Sequence, residues 1–111
     1  MATNKPLFYT WERTDPLGDA YSYIPRPEAS KVSVIDGIET FAYKHDSGNW
    51  KVYEATTGMY IQSSRWCTTR KAAVEDAKKT LEALGVQYCK DSISERISRY
   101  GKSPYGQTIT N

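Results

Sequence analysis

Three turn signals in close succession constrain this chain more than any other feature. Asp36-Gly37, Asp46-Ser47-Gly48-Asn49 and Thr56-Thr57-Gly58 cut the middle of the sequence into short pieces. Glycine takes positive φ without a steric penalty, and Asp and Asn nearly do, so each signal reads as a tight connection. The pieces between them carry strand patterns. Val32, Val34 and Ile35 form a β-branched run from Lys31. Ile38–Lys44 puts Phe41 and Tyr43 on one face and Thr40, Ala42 and Lys44 on the other. Trp50–Ala55 alternates in the same way, and Met59–Ser63 reads as a fourth strand with Met59 and Ile61 on one side. Short turns between successive strands favour an antiparallel meander.

The apolar period then changes from 2 to 3.6. Thr68 or Thr69 suits a helix N-cap, and Val74, Ala77, Leu81 and Leu84 fall on one face of a helix over Arg70–Leu84. Lys71-Glu75, Glu75-Lys79 and Lys78-Glu82 are i,i+4 pairs on the other side. Gly85 is a C-terminal stop. Ser92 and Glu95 have capping-box spacing for a second, shorter helix with Ile93, Ile97 and Tyr100 as its apolar stripe and Gly101 at its end. Val86–Cys89, between the two, reads as a short fifth strand. The expected fold is therefore α+β: a meander of about four strands with one long amphipathic helix packed on it and a short helix after.

The organisation falls into three parts. Residues 1–30 hold Pro6, Pro16, Pro25 and Pro27 among Phe8, Tyr9, Trp11, Tyr21 and Tyr23, which reads as an extended aromatic arm, with Phe8–Trp11 suited to a short strand. Residues 31–101 are the α+β domain, and 102–111 a polar, flexible tail. A chain of 111 residues supports one core.

No apolar run approaches the ~20 residues of a membrane span, and Met1–Thr10 lacks the pattern of a signal peptide. A cytoplasmic location is the expectation, with Cys67 and Cys89 as reduced thiols. Charge is unevenly spread. Residues 1–64 carry six Lys/Arg against eight Asp/Glu, and residues 65–111 nine against five. The basic second half suits a nucleic acid or an acidic protein surface, and the overall balance disfavours a DNA mimic.

The residues expected of common active sites do not assemble in the sequence. His45 is the single histidine; a Cys–His pair with Cys67 or Cys89 has no local support. Three Cys and His residues fall short of a structural zinc site. The glycines match no phosphate-cradling or nucleophile-elbow pattern. The expectation is a protein that is not an enzyme and needs no cofactor and no metal.

Two candidate binding surfaces stand out. Arg65, Arg70 and Lys71 cluster around Trp66 at the junction of the last strand and the long helix, a combination suited to single-stranded nucleic acid or an acidic protein. Arg96, Arg99 and Lys102 form a second basic group. The other surface is the arm, where Tyr9, Trp11, Tyr21 and Tyr23 are interface-type residues. Both sets also serve as ordinary solvated or core-covering residues. A sheet with no obvious guard at its edges is open to self-pairing, so a homodimer stands beside a monomer.

Residues 49–85 read NWKVYEATTGMYIQSSRWCTTRKAAVEDAKKTLEALG. This resembles a pattern of small accessory proteins of bacteriophages and mobile elements: a W-x-V strand, a T-G turn, a short strand, then T-R-K-x-A opening an amphipathic helix. The resemblance implies a phage-encoded inhibitor of a host defence complex, of the anti-CRISPR kind. Such an inhibitor works in a bacterial host cell by occluding a site on a protein or ribonucleoprotein complex. The strand–helix order is also similar to double-stranded-RNA-binding modules and to antitoxin subunits. The former place a helix before the sheet, where this chain has its proline-rich arm.

Overall fold

The computed structural model describes residues 7–15, 17–18, 20–63 and 65–104. Five strands and two helices follow in the order β1 (Phe8–Arg13), β2 (Tyr21–Arg26), β3 (Ser30–Ile35), β4 (Ile38–Lys44), β5 (Trp50–Glu54), α1 (Arg70–Leu84) and α2 (Val86–Tyr100). The fold is α+β, with two antiparallel sheets: the hairpin β1-β2 and the three-stranded sheet β3-β4-β5.

The meander forms as its turns dictate. Gly37 and Gly48 sit at φ +88° and +87°. The alternation of β4 and β5 then gives the sheet two buried faces. Val32, Val34, Ile38, Ala42 and Val52 join Ala73, Ala77 and Leu81 of α1 in one core. Phe41, Tyr43, Tyr53 and Ala55 point the other way and join Phe8 of β1 in a second core. Phe8 stacks on Phe41 with ring centroids 4.8 Å apart, and Phe41 on Tyr53 at 5.3 Å.

Within the N-terminal arm, Phe8–Arg13 and Tyr21–Arg26 pair as a hairpin, and Phe8 packs it on the sheet. Pro25 does not oppose this. Pro25 lies in β2 opposite Tyr9, and β2 is an edge strand, where a missing N–H breaks no ladder on the outer side. Arg26 ties the hairpin to the sheet. It donates to Thr10 Oγ1 (3.0 Å), Tyr43 Oη (3.1 Å) and Glu12 Oε2 (3.3 Å) while its guanidinium lies 4.6 Å from the Tyr43 ring centroid.

Two further expectations change. Met59–Ser63 is not a full strand: it makes one bridge, Tyr53 to Tyr60, with Ile61 N donating to Val52 O at 2.9 Å. Its last two residues bond to α1. Ser63 Oγ donates to Asp76, and Thr80 Oγ1 donates to Gln62 O at 2.9 Å. Val86–Cys89 is the first turn of α2, not a strand, so α2 is as long as α1, and Ser92 and Glu95 are interior rather than capping. One glycine does both jobs at the break. Gly85 (φ +89°) closes α1 by donating to Leu81 O, and its own carbonyl accepts from Cys89 N.

Thr69 is the α1 N-cap, its Oγ1 accepting from Ala72 N at 3.1 Å. The buried stripe of α1 is Ala73, Asp76, Ala77 and Leu81, while Val74 is half-buried and Leu84 is 51% exposed. The helix is therefore rotated from the Val74–Leu84 stripe, and Leu84 is released to the surface.

The sheet edges carry protections. Tyr60–Ile61 covers β5, Gly58 O takes Trp11 N on β1, and β2 carries Pro25. On β3, Lys31 and a register shift between Val32 and Ile35 mark the edge. Among the described residues, no helix is long and apolar enough to cross a membrane.

Candidate functional site: an aromatic and arginine face

The outward face of the β1-β2 hairpin is built by strand alternation. Phe8 and Thr10 point into the sheet, so Tyr9, Trp11 and Arg13 point out. On β2, Tyr23 pairs across from Trp11 and Tyr21 across from Arg13. The rings meet: Trp11 stacks on Tyr21 at 5.6 Å and tilts against Tyr23 at 4.7 Å. Tyr9 continues the same face, half-buried opposite Pro25.

The last turn of α2 completes this surface. Tyr100 lies 5.9 Å from Trp11 between ring centroids, and Tyr23 Oη donates to Gly101 O at 2.9 Å. Burial pushes the Tyr23 phenol above its usual range, and Arg96 pulls in the opposite direction. Arginines cover the outer rings. Arg96 lies 5.1 Å and Arg99 5.9 Å from the Tyr100 centroid, and Arg13 lies 5.8 Å from that of Tyr21. Arg99 pairs with Glu95 at 2.5 Å. Among the described residues, Arg13 and Arg96 have no carboxylate within ion-pair distance.

The structure therefore joins two groups that are far apart in sequence: the aromatic residues of the arm and the basic group on α2. Sequence periodicity marks Tyr100 as an apolar stripe residue; it is 49% exposed and sits on the hairpin instead. Gly101 ends α2 as its place in the sequence predicts, with φ +88°, and its carbonyl reaches Tyr23.

The strand–helix junction is a separate surface. Trp66 is 62% exposed, and its ring meets no other ring and no cation among the described residues. Arg65 and Lys71 are exposed beside it in sequence. Arg70 turns away to donate to Lys31 O at 3.1 Å. Lys31, Arg70 and Lys71 share an open groove along β3.

The titratable residues considered for catalysis are not brought together. His45 belongs to the hairpin side of the sheet, where Nε2 bonds Tyr53 Oη at 2.9 Å and Tyr43 meets the ring edge-on. Cys67 is in the core on the helix side, 1% exposed, and Cys89 lies in the same core; both are free thiols. Burial, with Lys51 next, holds the His45 imidazole below its usual range, and burial pushes Tyr53 and Cys89 up. Among the described residues no three His, Cys, Asp or Glu side chains converge as metal ligands.

No family model matches the chain, and no curated protein and no solved structure gives a significant match.

Proposed function

We propose that this chain is a non-enzymatic binding protein that acts by occlusion, docking its aromatic and arginine face on a protein or ribonucleoprotein complex. One observation carries the reading: Trp11, Tyr21, Tyr23 and Tyr100 form one connected cluster roofed by Arg13, Arg96 and Arg99. Tyr, Trp and Arg are the residues most enriched at interface hot spots. Among the described residues, Arg13 and Arg96 have no carboxylate within ion-pair distance, so their charge is available to a partner. The resemblance of residues 49–85 to small phage accessory proteins supports the inhibitor class, with a host defence nuclease complex as the target. Titration of the protein into such a nuclease should suppress cleavage at a stoichiometric ratio. Absence of binding at micromolar concentrations, across defence complexes of different types, would count against it.

A second reading is favoured by Trp66, which is exposed and follows an exposed Arg65 in sequence. Arg65, Trp66, Arg70 and Lys71 would then stack and neutralise a single-stranded nucleic acid. Affinity would fall steeply with salt. Salt-insensitive binding, or none at low salt, removes that reading.

A further inference from the structure

We propose that a crevice beside the aromatic and arginine face is an anchor pocket for one large apolar side chain carried by an acidic segment of a partner protein. This rests on the docking reading above and names the chemistry of the partner.

The crevice opens between α2 and the helix side of the sheet and has a volume of about 170 Å³. Ile38, Met59, Leu81 and Ile93 contribute to its wall, and Leu84 and Tyr88 stand beside it, 51% and 61% exposed. Leu84 directly precedes Gly85, and Tyr88 lies in the first turn of α2 after it. The helix break there ends α1 just after Leu84 and starts α2 just before Tyr88, leaving two apolar side chains in water. An incoming apolar group would remove them from solvent, which favours binding in proportion to the apolar area covered. Pockets for drug-sized ligands span roughly 300–1,000 Å³. This one is smaller and suits a single side chain, the form a hot-spot anchor takes.

Charge selects the surroundings of that anchor. Arg96 lines the crevice and also covers Tyr100, so it belongs to both the pocket and the aromatic face. It has no carboxylate partner among the described residues, and Arg13 on the hairpin has none either. Among the described residues of the crevice wall the one carboxylate, Glu54, is already satisfied: its oxygens accept from the backbone and hydroxyl groups of Thr56 and Thr57 at 2.6–2.9 Å. An apolar residue flanked by Asp or Glu matches this arrangement.

The test selects a random peptide library on the folded protein and measures binding of the enriched peptides. Ser92 lines the crevice, so Ser92→Trp fills it. Tyr88→Asp, at an exposed position, places a negative charge beside it without touching the core. The expected result is enrichment of one large apolar residue among Asp and Glu. Binding should then be weakened roughly tenfold or more by Tyr88→Asp and by Ser92→Trp, with far-ultraviolet circular dichroism and the urea midpoint unchanged for Tyr88→Asp. Enrichment of basic or uncharged peptides, no enrichment, or full binding by Tyr88→Asp overturns the proposal. Displacement of the peptide by a single-stranded oligonucleotide also overturns it. The two readings fail separately. Loss of partner binding in Tyr100→Ala but not in Tyr88→Asp keeps the docking face and removes the anchor pocket.

Discussion

Gly58 lies directly against the backbone of Trp11. Trp11 N donates to Gly58 O at 2.9 Å, and a Cβ at position 58 would stand 2.9 Å from that same nitrogen and 2.8 Å from Tyr9 O. Gly58 also has φ +70°, so a side chain there is strained twice over. Gly58→Ala should destabilise the protein by about 2–4 kcal/mol, from backbone strain and forced separation together. Urea unfolding measures the loss. Hydrogen exchange should show the Trp11 amide losing protection before the β4 amides do.

Glu54 organises the same loop from inside. It is 6% exposed and accepts four bonds from Thr56 and Thr57. Glu54→Ala leaves these donors without their acceptor and should cost roughly 2–4 kcal/mol in denaturant unfolding. Glu54→Gln retains one carbonyl oxygen and should cost less. A loss within experimental error for Glu54→Ala would contradict this role.

His45 makes stability depend on pH with a definite sign. Burial and Lys51 lower its pKa in the folded protein below the ordinary imidazole value of 6.5. The unfolded chain therefore takes up this proton at a higher pH than the folded one. The stability from keeping His45 neutral is complete above the unfolded value and is lost as pH falls through it toward the folded value. Between about pH 7 and about pH 5, the urea midpoint of the His45→Gln variant should fall less than that of the parent chain. An equal fall in both would contradict the assignment.

Cys67 and Cys89 are 1% and 7% exposed. Both should react slowly with a thiol reagent in the native state and rapidly in denaturant. Fast labelling of either in the folded protein would mean that the helix-side core is open.

Most of the core was legible in the sequence because local chemistry and burial agree there. The glycine turns set β3, β4 and β5, and alternation at Phe41 and Tyr43 correctly separates the two sheet faces. The hairpin was hidden because Pro25 and Pro27 read as strand breakers, although Pro25 lies on an outer edge. The start of α2 was hidden because Ser92 and Glu95 imitate a cap while Gly85 serves as the real boundary of both helices. The candidate face was half legible. The composition of the arm and the basic group on α2 are visible one by one, but their meeting depends on Tyr100 and Gly101 reaching Trp11 and Tyr23 across the fold.

The most direct test of the docking face is a pull-down from nuclease-treated and untreated bacterial lysate, comparing the parent chain with two double variants. The parent should recover the same complex from both lysates. Arg96→Glu with Tyr100→Ala should lose it, and Trp66→Ala with Lys71→Glu should keep it. Recovery that vanishes with nuclease, or that survives in the Arg96/Tyr100 variant and fails in the Trp66/Lys71 variant, would contradict the account and move the binding surface to the Arg65–Lys71 junction.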